Sequence, residues 1–304
     1  MKESSQAMIE GQPILFGEVL FDCFADGNIV LGGAPFNVAW HLQGLGVTPL
    51  LVSRVGNDER GKVVLRLMQE WGLPVNAVQV DLENSTGVVA VQVKGGEPSY
   101  HIQPDQAYDA INAEAALVAV QQAPAGLIYH GSLILRNATS RAALLRLQAE
   151  SGLPIFLDLN IRDPWWDPAH TVPLLRGATW VKLNSDELNS AMRGQFDGLE
   201  AQQQAARELF VQCELQMLVV TCGAQGAFMV LSEGILNGVP VPAQNLVDTV
   251  GAGDGISAVL IAGLMRGLPP QQMLDQAIAF ASALCERRGA TAQDEALYTH
   301  LLLA

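Results

Sequence analysis

Asp254 closes the run Gly251-Ala252-Gly253-Asp254, three small residues ahead of a carboxylate at the mouth of an apolar stretch. Residues 255–265 carry Ile256, Val259, Leu260, Ile261, Leu264 and Met265, apolar on almost every helical face, which is the pattern of a helix buried inside a molecule. The amides of Gly251, Ala252 and Gly253 would be unpaired donors of its first turn, and small side chains let phosphate oxygens come close. Phosphoryl transfer asks for such donors around the moving group and for a carboxylate that takes the proton of the acceptor hydroxyl. Asp254 is in position to be that base. The same four residues would also serve as a glycine turn with Asp254 as a helix cap.

Other segments bear on the choice. Gly32-Gly33-Ala34-Pro35-Phe36-Asn37 is a second glycine turn into a helix, with Asn37 in the first turn as a polyol ligand or as a solvated side chain. Asp22 follows the apolar run 14–20 and suits either sugar hydroxyls or an edge strand that resists aggregation. Asn184-Ser185-Asp186-Glu187 starts a helix after the strand at 179–183, at the carboxyl edge where open α/β sheets hold ligands. Glu187 there could order metal-bound water, or favour the helix dipole. Thr221-Cys222-Gly223-Ala224-Gln225-Gly226 also leaves a strand end, as a ligand loop or a turn to the next strand. Arg162, in Asp158-Leu159-Asn160-Ile161-Arg162, is the best isolated cation for a phosphate or sugar, with an ion pair to Asp163 or Asp167 as the other reading.

The elements that would position these residues follow a βαβ rhythm. Apolar runs predict strands at 14–20, 50–55, 127–130, 155–159, 179–183, 217–221 and 227–231, with helices at 34–45 and 59–71. Pro35 suits the first turn of the former. Two stretches, 20–31 and 87–102, lack a helical period. The second alternates Val89, Val91 and Val93 with polar or small residues and turns at Gly95-Gly96, as antiparallel strands of a small separate sheet do.

Composition narrows the partners. With 17 basic and 31 acidic residues the net charge is −14, which speaks against nucleic acid or an anionic membrane. The polar start and the absence of a long apolar run give a cytoplasmic expectation. Cys23, Cys213, Cys222 and Cys285 are scattered and form no metal-ligand spacing with the histidines. Gly56-Asn57-Asp58-Glu59-Arg60-Gly61-Lys62-Val63 nearly matches a P-loop, but Val63 cannot ligate magnesium and two acids would enter the phosphate cradle. No dinucleotide fingerprint follows a strand.

Taken together, the segments resemble the ribokinase-like sugar kinases, the PfkB carbohydrate kinase family. The resemblance runs nearly end to end and rests on Gly32-Gly33-Ala34-Pro35-Phe36-Asn37-Val38-Ala39, Ser53-Arg54-Val55-Gly56-Asn57-Asp58-Glu59-Arg60-Gly61 and Asp248-Thr249-Val250-Gly251-Ala252-Gly253-Asp254. Between them lie Asn184-x-x-Glu187 and Thr221-x-Gly223-x-x-Gly226. It implies a three-layer αβα sandwich with a mostly parallel central sheet, one kinase domain over 1–304, and a β-sheet lid from about 20–31 and 86–103. It implies Asp254 as base, Gly251, Ala252 and Gly253 as anion hole, and Arg162 near the reacting groups. Asp22, Gly32, Gly33 and Asn37 would hold the sugar; Asn184, Glu187, Thr221, Gly223 and Gly226 the nucleotide. Glu187 would serve Mg²⁺ through water, and Asp248 a monovalent cation, commonly K⁺.

Phe16-Gly17-Glu18-Val19-Leu20-Phe21-Asp22 and the segment from Asp158 to Arg162 look most like fructokinases. Ile256 stands where the family usually has Phe and removes no catalytic group. The expectation is ATP-dependent phosphorylation of a small sugar, fructose first, in a protein that could dimerise through its lid. Ribose, a nucleoside or 2-keto-3-deoxygluconate are alternative acceptors, and a catalytically silent sugar- or nucleotide-binding regulator is the rival from another class.

Overall fold

The computed structural model describes residues 8–94 and 97–302. Strand β1 (Gln12–Phe16) is buried from its second residue on, as expected of a strand covered on both faces. It lies inside a nine-stranded sheet with β4 (Leu50–Gly56), β5 (Val78–Asp81), β8 (Ala125–Gly131), β9 (Ile155–Asp158), β10 (Trp180–Asn184), β11 (Met217–Thr221), β12 (Ala227–Leu231) and β13 (Gly234–Asn237). The order is β13-β12-β11-β10-β9-β8-β1-β4-β5. Pairings from β5 to β11 are parallel, and β12 and β13 close one edge antiparallel.

From β1 the chain moves outward through β4 and β5, then returns to β8 on the other side. That reversal leaves a crevice outside the carboxyl ends of β1 and β8, where sheets of this kind hold ligands. Adjacent residues on a strand feed opposite cores. Leu15, Tyr129 and Phe156 join one cluster, while Ile14, Phe16 and Ile128 belong to a second and Leu157 to a third, so helices cover both faces.

A second sheet, ordered β3-β2-β6-β7, is made of β2 (Leu20–Phe24), β3 (Ile29–Gly32), β6 (Gly87–Lys94) and β7 (Glu97–Ile102). Its two hairpins are antiparallel within themselves, but β2 and β6 pair in parallel, correcting the wholly antiparallel expectation. The reason is directional. β2 follows β1 and β6 follows β5, parallel-sheet strands that deliver the chain to the same edge. The expected Gly95-Gly96 turn lies outside the described residues. The run 14–20 is also two strands rather than one, because the chain leaves the large sheet at Gly17–Val19 to enter the small one.

The helix Ala252–Arg266 has every residue from Gly255 to Met265 buried. It packs between the helices Ala34–Gly44 and Pro270–Cys285. Each Leu or Ile it buries contributes about 1.5–3 kcal/mol, so its N-terminus is firmly held. The near-P-loop is filled by its own side chain: Asp58 accepts from the amides of Gly61 and Thr86, each at 2.8 Å, and from the Thr86 hydroxyl at 2.7 Å. Among the described residues no helix is long and apolar enough to cross a membrane, and the four cysteines are unpaired.

Candidate active site

Three parallel strands deliver charged or polar residues to one edge: Asp158 at the end of β9, Lys182 and Asn184 on β10, Thr221 at the end of β11. Register sets Lys182 beside Asp158 and Asn184 beside Thr221. Facing them is the N-terminus of the helix Ala252–Arg266. Its cap is Gly251, so Asp254 sits inside the first turn and the reading of Asp254 as a cap falls. Instead its Oδ2 accepts from Asn37 Nδ2 at 2.7 Å, and Asn37 is only 5% exposed rather than solvated. Burial and the charge of Asp158 push Asp254 up to about 6, against the pull of Asn37, Lys182 and Arg162. A carboxyl with such a pKa is well matched to a proton transfer near neutrality.

The Gly251 to Gly253 turn offers fewer free amides than the sequence suggests. The Ala252 amide donates to the Thr249 carbonyl at 3.3 Å, which leaves the Gly251 and Gly253 amides without a backbone partner among the described residues. Both glycines are required by close approach. Gly251 has φ 81°, and a β-carbon on it would lie 2.6 Å from Ala290 Cα. One on Gly253 would lie 2.9 Å from Lys182 Nζ.

Lys182 was not singled out by the sequence reading, yet it lies at the centre of the site. Its Nζ donates to both oxygens of Asp158 at 3.0 Å, and Ser257 Oγ donates to Asp158 Oδ2 at 2.9 Å. Burial by itself would lower the Lys182 pKa, but Asp158, Glu187 and Asp254 outweigh it and hold the ammonium charged. A lysine in an otherwise apolar buried strand, with an aspartate closing the preceding strand, was the available signal.

Glu18 was also missed. It follows β1, is 3% exposed, and its Oε2 has no partner among the described residues. Burial foremost, with the Asp254 charge, pushes it up to about 7, while Arg162 pulls it back. Burial likewise raises Asp22 to about 6 against Arg162. Asp22 lies on an inner strand of the small sheet, not an edge. Asp22 Oδ2 and Asn37 Oδ1 are each 3.7 Å from where a Gly32 β-carbon would stand, and Gly33 caps the helix Ala34–Gly44. Arg162 is exposed and makes no ion pair with Asp163 or Asp167. The crevice thus gathers Asp22, Gly32, Gly33, Asn37, Arg162 and Asp254.

The second group adjoins it along the strand ends. Asn184 Oδ1 accepts from the Glu187 amide at 2.9 Å, and Glu187 Oε2 accepts from the Asn184 amide at 2.8 Å, a reciprocal cap of the helix Ser185–Met192. Glu187 Oε1 takes the Ile161 amide at 2.8 Å, tying that cap to the Arg162 loop. Each oxygen keeps a lone pair. Gly223 and Gly226 flank one helical turn between Thr221 and β12. Asp248 is half-buried and bonds the amides of Val250 at 3.0 Å and Gly289 at 3.1 Å, joining the loop before the anion hole to the turn at 285–290. Among the described residues no cluster of three His, Cys, Asp or Glu could hold a metal. A magnesium ion held by one carboxylate through water and by substrate phosphates needs no such cluster, so Glu187 fits that mode.

The profile of the pfkB family carbohydrate kinases matches residues 24–297, spanning both glycine turns, the cap formed by Asn184 and Glu187, and Asp254. The chain belongs to this family. It is 27% identical over 264 residues to a sugar kinase of Pyrococcus horikoshii, covering 85% of this chain and 82% of that one. A solved structure of that Pyrococcus protein, uncharacterized and in complex with ATP, superposes with a TM-score of 0.77 at 25% identity, over 91% and 93% of the two chains. Fructokinase-2 of Oryza sativa is 25% identical over 304 residues, 89% of this chain and 85% of its own. A 2-dehydro-3-deoxygluconokinase of Thermotoga maritima shares the fold with a TM-score of 0.83 at 16% identity, over 97% and 100%. The protein is therefore a carbohydrate kinase of ribokinase-like architecture.

Proposed function

We propose that the protein phosphorylates a hydroxyl of a small sugar with ATP, with D-fructose as the leading acceptor. The observation that carries this is the Asp254 carboxyl, gripped by Asn37 in the first turn of a buried helix and directly after the Gly251 to Gly253 turn. Asp254 would take the proton of the attacking hydroxyl while Asn37 holds its carboxylate in line. The Gly251 and Gly253 amides, with the Lys182 ammonium behind them, would stabilise charge on the phosphoryl group in transfer. Asp22, Gly32, Gly33 and Asn37 would orient the sugar, and Arg162 would close over the reacting groups.

Asn184, Thr221, Gly223 and Gly226 would line the nucleotide site. Glu187 would hold water of a Mg²⁺ ion, which when bound neutralises phosphate charge. Asp248 would contribute to a K⁺ site next to the anion hole. The small sheet would act as a lid over the crevice of a single kinase domain and could serve as the contact of a homodimer. The acidic charge balance supports a cytoplasmic enzyme.

An ADP-release screen with fructose, ribose, 2-keto-3-deoxygluconate and nucleosides tests the reading. ADP release dependent on one of these acceptors is expected. Nucleotide binding with no acceptor turned over would favour the silent regulator instead.

A further inference from the structure

The acceptor side of the crevice contains polar atoms that the proposed mechanism leaves idle. Glu18 Oε2 and the Tyr108 hydroxyl are enclosed and, among the described residues, have no hydrogen-bond partner. They lie in one region: a β-carbon on Gly87 would lie 2.6 Å from the Val19 carbonyl and 2.9 Å from Tyr108 Cε1, which brings the Tyr108 ring edge near the residue after Glu18. The Glu18 charge also acts on Tyr108, and that of Asp254 acts on Glu18. An enclosed carboxylate oxygen without a donor is satisfied only by a proton of its own or by a donor that arrives with a ligand.

The cations nearby are already committed. Arg136 is stacked 5.0 Å from the Tyr108 ring centroid and 4.6 Å from that of Trp165. Its charge is matched by Asp109, through Nε to Oδ1 at 2.8 Å and Nη2 to Oδ2 at 2.5 Å. Lys182, which acts on Asp254, is paired with Asp158, and the charge of Arg162 acts on Glu18, Asp22 and Asp254. Among the described residues, Lys182 and Arg162 stand against Asp158, Glu18, Asp22 and Asp254, which leaves no surplus positive charge to receive an acid group. Hydroxyl donors, by contrast, suit carboxylate acceptors well.

We infer that Glu18 is a specificity-determining residue of the acceptor site, its Oε2 accepting a sugar hydroxyl, and that with Asp22 and Asp254 it restricts the acceptor to neutral polyhydroxylated sugars over sugar acids. The inference rests on the sugar kinase reading and narrows its substrate class. A pocket built to bond a hydroxyl discriminates strongly, because a ligand without it leaves the buried group unpaired.

The test is ADP release by the full-length protein and its Glu18→Gln, Glu18→Asp and Tyr108→Phe variants, with fructose and ribose as neutral probes and 2-keto-3-deoxygluconate as the acid. The wild type is expected to favour a neutral sugar over the acid by about a hundredfold or more in kcat/KM. Glu18→Gln should raise the KM of the neutral sugar about tenfold or more, leave the KM for ATP unaltered and narrow the neutral-to-acid ratio. Glu18→Asp should recover part of both, and Tyr108→Phe should raise the sugar KM alone. A wild type that prefers the acid overturns the inference while leaving the kinase reading intact. So does a Glu18→Gln variant with wild-type sugar KM and ratio. ADP release with none of the acceptors would remove the kinase reading and the inference together.

Discussion

The Lys182 ammonium stands 2.9 Å from the point where a β-carbon on Gly253 would lie, so the end of β10 and the anion-hole turn are in direct apposition. The ammonium is held there by both oxygens of Asp158, which Ser257 fixes from the helix that carries Asp254. Asp254, the Gly251 to Gly253 turn and the end of β10 are thereby tied together.

Removing one member of this buried pair strands the other charge. Lys182→Met and Asp158→Asn should each cost about 3–5 kcal/mol of stability. The double variant should recover much of that loss, since no uncompensated charge remains. Turnover should not recover, because the fixed positive charge beside Gly253 is gone; a loss of roughly 10²–10³-fold is expected, as for an oxyanion-hole donor. Urea unfolding and ADP release on the three variants read the two effects separately. A double variant as active as the wild type would reduce Lys182 to a structural role.

Asn37 donates to Asp254 at 2.7 Å and so favours its charged form, while burial raises its pKa to about 6. In the proposed role of base Asp254 would work only when deprotonated, so kcat/KM for the sugar should fall as pH drops through about 6. Because the Glu18 and Asp254 charges interact, the limb reports the pair rather than one residue. Asn37→Ala should move the limb to higher pH, besides raising the sugar KM. Asp254→Asn should lower turnover by roughly 10²–10⁴-fold with ATP affinity retained. A pH profile unmoved in Asn37→Ala would separate Asn37 from the base.

Much of this was legible in the chain. The glycine turns, the buried helix and the strands at 217–221 and 227–231 follow from local pattern, because period and backbone freedom are local properties. Two kinds of feature were not. The parallel pairing of β2 with β6 depends on where other strands deliver the chain, which no window reveals. Lys182 and Glu18 were hidden for a related reason: each looks like an isolated charge until sheet register and the crevice supply Asp158 and Asp254 as neighbours. Asp254 itself could have been a cap, and only the observed start of its helix at Ala252 decides against it.

Glu18 gives stability a pH dependence of defined sign. Its carboxyl holds a proton up to about pH 7 in the folded protein, against 4.5 for an ordinary glutamate, so between those values the folded state binds a proton that the unfolded chain has released. Stability from this group should therefore fall as pH rises from about 5 to 8, by roughly 3 kcal/mol at most. Asp22 and Asp254, raised in the same direction, add to the decline. Glu18→Gln carries no such proton, so it should be more stable than the wild type at pH 8, with the gap closing near pH 5. Thermal melts across that range check it, and parallel curves for the two proteins would refute the assignment.

Asp248 ties the loop before the Gly251 to Gly253 turn to the turn at 285–290. Its two oxygens hold the amides of Val250 and Gly289, and Ala290, the residue after Gly289, presses on Gly251. A monovalent cation bound at Asp248 would act on the anion hole through this short connection, and a carboxylate is the hard oxygen ligand it requires. Replacing KCl by NaCl at equal ionic strength should slow the wild type, chiefly in kcat. Asp248→Asn keeps one oxygen acceptor and loses the charge, so it should slow turnover in KCl and abolish the difference between the salts. A wild type indifferent to the exchange would leave Asp248 as a clasp between the two loops, with a loss of activity in Asp248→Asn that no cation could modulate.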